Sequence, residues 1–142
     1  MTLKIILFLL IAAVALLQLF VRLAPTVPTR WHVDPFAAAE PGTNGVKRVL
    51  SVPLEPDEVL TRLAAIAETE PRTRHVVGGV EDGRLTYRTR TAFWGFPDFT
   101  TIGARATEDG AEVVILARAR FGQSDFGVNA GRADAWIAAA GL

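Results

Sequence analysis

The sequence predicts an α+β fold: one antiparallel sheet, elements in the order β-α-β-β-β-β-α, helices packed on one face, and a single N-terminal transmembrane helix ahead of it. Three observations carry this. Residues 74–120 alternate with a period of two and are broken by two short turns. Two flanking segments, after Pro56 and around Asn129, place apolar residues at helical spacing instead. Runs of hairpins with helices before and after them pack those helices against one side of an antiparallel sheet.

The first element is the membrane helix. Ile5 to Val21 carries no charge and one polar residue, Gln18. At about 1.5 Å per residue the run is roughly 26 Å long, and Leu3 and Leu23 extend it to the ~30 Å of a hydrocarbon core. Cleavage after Ala24 would place Arg22 three residues before the cut, where a small residue is needed, and the run exceeds the ~7–15 residues of a signal-peptide core. With no cysteine there is no lipoprotein attachment. Residues 1–23 are therefore expected to be an uncleaved anchor. Lys4 lies on one side and Arg22 and Arg30 on the other, so charge bias orients it weakly. The very short basic tail ahead of a long domain favours tail inside and domain outside, which in a bacterium means an inner-membrane protein with a periplasmic domain.

Residues 24–45 contain Pro25, Pro28, Pro35, Pro41, Gly42 and Gly45. That density forbids a continuous helix and predicts an extended, semi-rigid juxtamembrane tether. Trp31 and Phe36 within it suit either the membrane interface or an edge of the domain core.

Residues 46–142 form the predicted domain. VKRVLSVPL (46–54) reads as a strand ending near Pro53. Pro56 stands at a first helical position, with Asp57 and Glu58 suited to the positive helix end. Val59, Leu60, Leu63, Ile66 and Ala67 then form one apolar stripe. Strands 74–81 and 84–94 are joined by Asp82-Gly83, a hairpin signal. Strands 98–107 and 111–120 are joined by 108–110. A helix capped by Asn129 closes the chain, with Ala133, Trp136, Ile137 and Ala140 as its stripe.

Charge narrows the function. Residues 25–142 hold 13 of the 15 basic residues and all 15 acidic ones, a formal −2, which argues against a nucleic-acid partner. Neither His32 nor His75 has a cysteine or an acidic cluster at metal spacing, and His32 with Asp34 is a weak pair, so neither a metal nor a cofactor is expected. Strand alternation puts Val113, Ile115 and Ala117 on one face and Arg118 and Arg120 on the reverse, where Arg88 and Arg90 join them if the strands form one meander. Arginine forks suit an anionic group, and the neighbouring Trp94, Val114 and Leu116 make that face partly apolar. The leading expectation is a non-catalytic binding face for an anionic amphiphile, a membrane lipid among them, or for an envelope protein, with Asp98 and Asp125 orienting the arginines. The segment RARFGQSDFGVNAGR (118–132) crowds Gly122, Ser124, Asp125, Gly127 and Asn129 into a corner before the last helix. Its simplest reading pairs Asp125 with Arg118, Arg120 or Arg132. Two alternatives stand beside the binding face: a hydrolase with Asp98 or Asp125 as base and Ser124 nearby, and a structural subunit of a membrane complex.

The chain also resembles the bacterial family known as domain of unknown function 1499. The likeness rests on GFPD (Gly95 to Asp98), on R-x-R-x-G-x-S-D-x-G-x-N-x-x-R from Arg118 to Arg132, and on the anchor followed by WHVDP (31–35). It covers most of residues 30–137. Members often carry serine between the two arginines and basic residues after the asparagine, where this chain has Ala119 and Ala130-Gly131. The resemblance implies a bacterial, often membrane-associated protein, and points to Asp98, Arg118, Arg120, Ser124, Asp125, Gly127, Asn129 and Arg132.

Overall fold

Residues 2–142 are described by a computed structural model. The apolar N-terminal run forms one helix, α1 (Thr2–Leu23), long and apolar enough to cross a membrane. A single turn, α2 (Pro28–Trp31), follows, and then a short 3₁₀ turn, Gly42–Asn44. The remaining elements are β1 (Gly45–Val52), α3 (Pro56–Thr69), β2 (Thr73–Gly79), β3 (Arg84–Arg90), β4 (Pro97–Thr107), β5 (Gly110–Ala119) and α4 (Val128–Ala140). The five strands make one sheet in the order β1-β5-β4-β3-β2, every pair antiparallel. Strands β2 to β5 are the predicted meander; β1 closes against β5.

The core follows the predicted alternation. Tyr87, Ile102, Val113 and Ile115 turn from the sheet towards Val59, Leu60 and Leu63 of α3 and Ala133 and Trp136 of α4. The Trp136 and Tyr87 rings meet edge to face, centroids 6.3 Å apart. Pro56 opens α3 as its first residue, where its missing N–H costs nothing.

The other face is where structure departs from sequence. Residues 24–41 of the expected semi-rigid tether form a strap laid across that face. Trp31 stacks on Phe99 of β4, centroids 4.1 Å apart and planes 12° apart. Pro35 and Phe36 press on Gly103, where a Cβ would come within 2.7 Å of Pro35 Cγ. Phe36 lies under the Arg105 guanidinium, and Lys47 Nζ donates to the Ala38 carbonyl at 2.6 Å. Trp31 and Phe36 thus cover the sheet rather than a membrane interface. Proline contributes carbonyls without N–H groups, so a proline-rich strap is held by side-chain donors that reach up to it.

His32 locks the strap through a hydrogen-bond chain with one possible polarity. Thr101 Oγ1 donates to the Trp31 carbonyl at 2.8 Å, so the 3.1 Å bond between Thr86 and Thr101 must take its proton from Thr86. Thr86 Oγ1 then accepts from His32 Nδ1 at 2.9 Å, while His32 Nε2 accepts from Arg84 Nε at 3.1 Å. The ring is therefore neutral, with its proton on Nδ1. Burial, and after it the Arg84 charge, holds its pKa below the ordinary value.

Candidate functional site

The sheet end nearest α1 collects β3's last residue, β4's first, β5's last and the first turn of α4. Two loops project from it. Thr91 closes the first: its N–H donates to the Phe96 carbonyl at 3.0 Å, and its hydroxyl accepts from the Phe96 N–H at 3.0 Å. Gly95, at φ +72°, permits that turn and lies against the Arg22 side chain. Trp94 stacks on Phe96, and Phe93 meets Trp94 edge-on.

The second loop is the 118–132 corner. Asp125 accepts from the Gly127 N–H at 2.9 Å and from the Asn129 N–H at 3.1 Å. Ser124 Oγ accepts from the Phe126 N–H at 3.2 Å. Asp125, not Asn129, therefore caps α4; Asn129 lies inside the helix, fully buried, and accepts from Arg132 at 2.8 Å. Burial raises the Asp125 carboxyl, but the amide bonds outweigh it and hold the pKa below the ordinary value. The expected pairing of Asp125 with an arginine is replaced by these amides.

Between the loops is a cavity of about 450 Å³, walled by Trp94, Phe96, Ala119, Phe121 and Phe126, with Asp98, Ser124 and Asp125 at its polar side. Phe121 packs on Phe96 and also on Phe20 of α1, with centroids 6.0 and 6.4 Å apart. The cavity thus borders the end of the apolar helix.

The second-face arginines have a definite local task. Val21 of α1 would ordinarily pass its carbonyl to the N–H four residues on, but that residue is Pro25. Arg90 supplies the missing donor: Nη1 reaches the Val21 carbonyl at 3.3 Å and Nη2 the Arg22 carbonyl at 3.2 Å. Arg120 donates to the Pro25 carbonyl at 3.0 Å and Arg88 to Thr26 Oγ1 at 3.4 Å. Further along, Arg118 donates to the Trp31 carbonyl at 2.6 Å and lies over its ring. Cations at a helix C-terminus also meet the negative end of its dipole. Burial, reinforced by the charges of Arg88, Arg22 and Arg120, pushes the Arg90 pKa below its ordinary value. Carbonyls satisfy donors without cancelling charge, so this collar stays strongly positive.

Asp98 is not among these arginines. Its register opposite Ala119 places it on the helix face, where Arg132 of α4 pairs with it at 3.1 Å. Burial raises the Asp98 carboxyl above its ordinary value despite the pull of Arg132. The predicted residues therefore fall into three groups. Arg88, Arg90, Arg118 and Arg120 form the collar. Asp98, Asn129 and Arg132 form a buried cluster, and Ser124 and Asp125 form the corner. Sequence reasoning did not single out Arg22, Phe93 or Phe126. For Phe126 a signal existed, an aromatic residue between the turn formers Asp125 and Gly127.

Comparison with known proteins now places the chain. The family described as protein of unknown function (DUF1499) matches residues 28–139. The chain belongs to this family. The match starts inside the strap, in keeping with the strap being part of the fold. The crystal structure of protein MLL2253 from Mesorhizobium loti is similar at TM-score 0.53 and 11% identity, over 67% of this chain and 92% of that one. Protein CV1439 from Chromobacterium violaceum gives TM-score 0.45 and 15% identity, over 68% and 91%. The first likeness is one of fold alone. Among curated proteins none matches the chain.

Proposed function

We propose that this DUF1499 protein is held in a bacterial inner membrane by an uncleaved α1, and that its periplasmic domain is a non-catalytic binding module for an anionic amphiphile. The observation that carries this reading is the aromatic-walled cavity of about 450 Å³ beside the end of α1. Its volume falls in the ~300–1,000 Å³ range of small-molecule sites. Its walls suit an acyl chain; its own polar side carries Asp98, Ser124 and Asp125, and the arginine collar, suited to a phosphate or carboxylate head, lies on the strap face at the same end of the sheet.

An uncleaved α1 is supported by what would be lost on cleavage. Val21 is buried, and Arg90 takes the carbonyls of Val21 and Arg22. Removing residues 1–24 would strip those acceptors and leave the guanidinium half-buried without them. A catalytic reading has less support, because Asp125 and Ser124 already spend their oxygens on loop amides and Asp98 is paired with Arg132.

The test is mass spectrometry of lipids carried by the purified full chain, alongside an Ala119→Phe variant that fills the cavity. The wild type is expected to carry one defined class of anionic lipid, and the variant to keep its melting temperature but lose that lipid. The same lipid retained at equal occupancy in the variant would contradict the reading. Alkaline extraction of the membranes checks the anchor, which should remain in the pellet.

A further inference from the structure

We propose that the 91–96 and 121–128 loops are a second membrane contact, inserting Phe93, Trp94 and Phe126 into the headgroup–acyl boundary of the bilayer that α1 crosses. The inference rests on α1 being an anchor and adds where the domain sits: tip down, with the cavity mouth opening on the lipid.

Exposure is the first argument. Among the described residues six large apolar side chains are exposed outside α1, and Phe93, Trp94, Phe126 and Val128 are all at this one end. Phe126 is 94% exposed and held at φ +54°, a left-handed conformation that a bulky aromatic rarely adopts. The Ser124 and Asp125 bonds to the loop amides impose it. A fold that spends strain to hold a phenyl ring in the open is presenting that ring to something.

Depth is the second argument. Gln18, the one polar residue of the apolar run, donates its side-chain amide to the Phe93 carbonyl at 3.4 Å. Gln18 lies five residues before the end of α1, roughly 8 Å back along its axis. A helix that must fill ~30 Å of hydrocarbon with about 20 residues carries the first loop to the level of the boundary. There an unpaired backbone carbonyl is costly, which gives Gln18 its role. Aromatic side chains are the residues enriched at that level.

Charge polarity is the third. The far end of the sheet bears Glu55, Asp57, Glu81, Asp82, Glu108 and Asp109 at its turns. The α1 end bears the arginine collar together with Asp125 and Glu70, and among the described residues no carboxylate forms an ion pair with Arg22, Arg88, Arg90 or Arg120. Anionic headgroups therefore attract one end of the domain and repel the other. The occupant is a lipid surface, fixed by the helix that already enters it.

The chain has no cysteine, so single-cysteine spin labelling needs no background removal. Full-length Phe126→Cys, Phe93→Cys, Leu10→Cys and Asp109→Cys variants are labelled and reconstituted in vesicles of equal parts phosphatidylethanolamine and phosphatidylglycerol. Collision rates with oxygen, which partitions into lipid, are compared with those of an aqueous nickel chelate. Position 10 reports the anchor and position 109, at the far turn, reports water. The expected result is nickel accessibility severalfold lower at 126 and 93 than at 109, with position 10 lipid-buried. Nickel accessibility at 126 and 93 equal to that at 109, with position 10 still buried, overturns the second contact and leaves the anchor intact. An aqueous signal at position 10 overturns both.

Discussion

Two sets of arginines meet at the α1 end of the sheet, one on each face, and they are used in opposite ways. Arg132, on the helix face, is buried against the carboxylate of Asp98, charge cancelled by charge. Arg88, Arg90, Arg118 and Arg120, on the strap face, donate to a hydroxyl and to backbone carbonyls of α1, the strap and the neighbouring loop. Those bonds fix the guanidinium groups without neutralising them. The first set is structural cement; the second joins helix to domain and leaves a positive field on the strap face, at the end of the sheet that also holds the cavity.

The comparison breaks first at Arg132. Arg132→Ala leaves the Asp98 carboxylate buried and alone, and should cost about 3–5 kcal/mol in denaturant unfolding of the full chain. The joint replacement Asp98→Leu with Arg132→Met should recover most of that loss. If the single variant cost no more than a surface change, the buried pair would not be the cement described.

On the strap face Trp31→Ala removes the ring between Phe99 and Arg118. Because Trp31 is only half-buried, the loss should be about 2–3 kcal/mol, below the range for fully buried aromatics. Arg90→Met should cost less, about 1.5–2 kcal/mol, by orphaning the Val21 and Arg22 carbonyls. It should also loosen α1 from the domain, seen as faster proteolysis within residues 22–30.

His32 sharpens the contrast through pH. Its folded pKa lies below the unfolded value, so above about pH 6.5 both states are neutral and His32 adds no pH dependence. Below that pH the unfolded chain takes up a proton that the folded ring refuses, because Arg84 occupies Nε2. Stability should therefore fall on acidification from about pH 6.5 towards the folded pKa, by at most about 1.4 kcal/mol per pH unit. Arg84 and His75 oppose the proton and Asp82 favours it. His32→Gln should flatten this limb in thermal melts taken across the range. The smallest effect belongs to Asp125→Ala, about 1 kcal/mol through the lost α4 cap, since none of its bonds reaches the collar.

Much of the helix face was legible in the sequence, because burial there is periodic. Tyr87, Val113 and Ile115 repeat every second residue, and Leu60 and Leu63 lie on one helical stripe, as packing on a common core requires. The strap was not legible. Apart from Lys47, its order comes from donors far along the chain, such as Arg118 reaching Trp31, and an arginine bonded to a carbonyl leaves no spacing to read. Asp98 was assigned to the wrong partners for a related reason. Its face depends on the β4–β5 register opposite Ala119, which alternation within one strand does not reveal. Asn129 looked like a cap because it stands at the helix start, whereas the chain turns two residues earlier, at Gly127, and Asp125 reaches forward to the free amides.

The central claim is that lipid enters the cavity at the collared end. The most direct test is photo-crosslinking in vesicles with a monoacyl phosphate carrying a diazirine near the end of its acyl chain, followed by peptide mapping of the full-length protein. Adducts on the cavity walls, at Phe96, Ala119 or Phe121, in addition to those on α1, are the predicted result. Adducts confined to α1, with the 91–96 and 119–128 segments unlabelled, would contradict it.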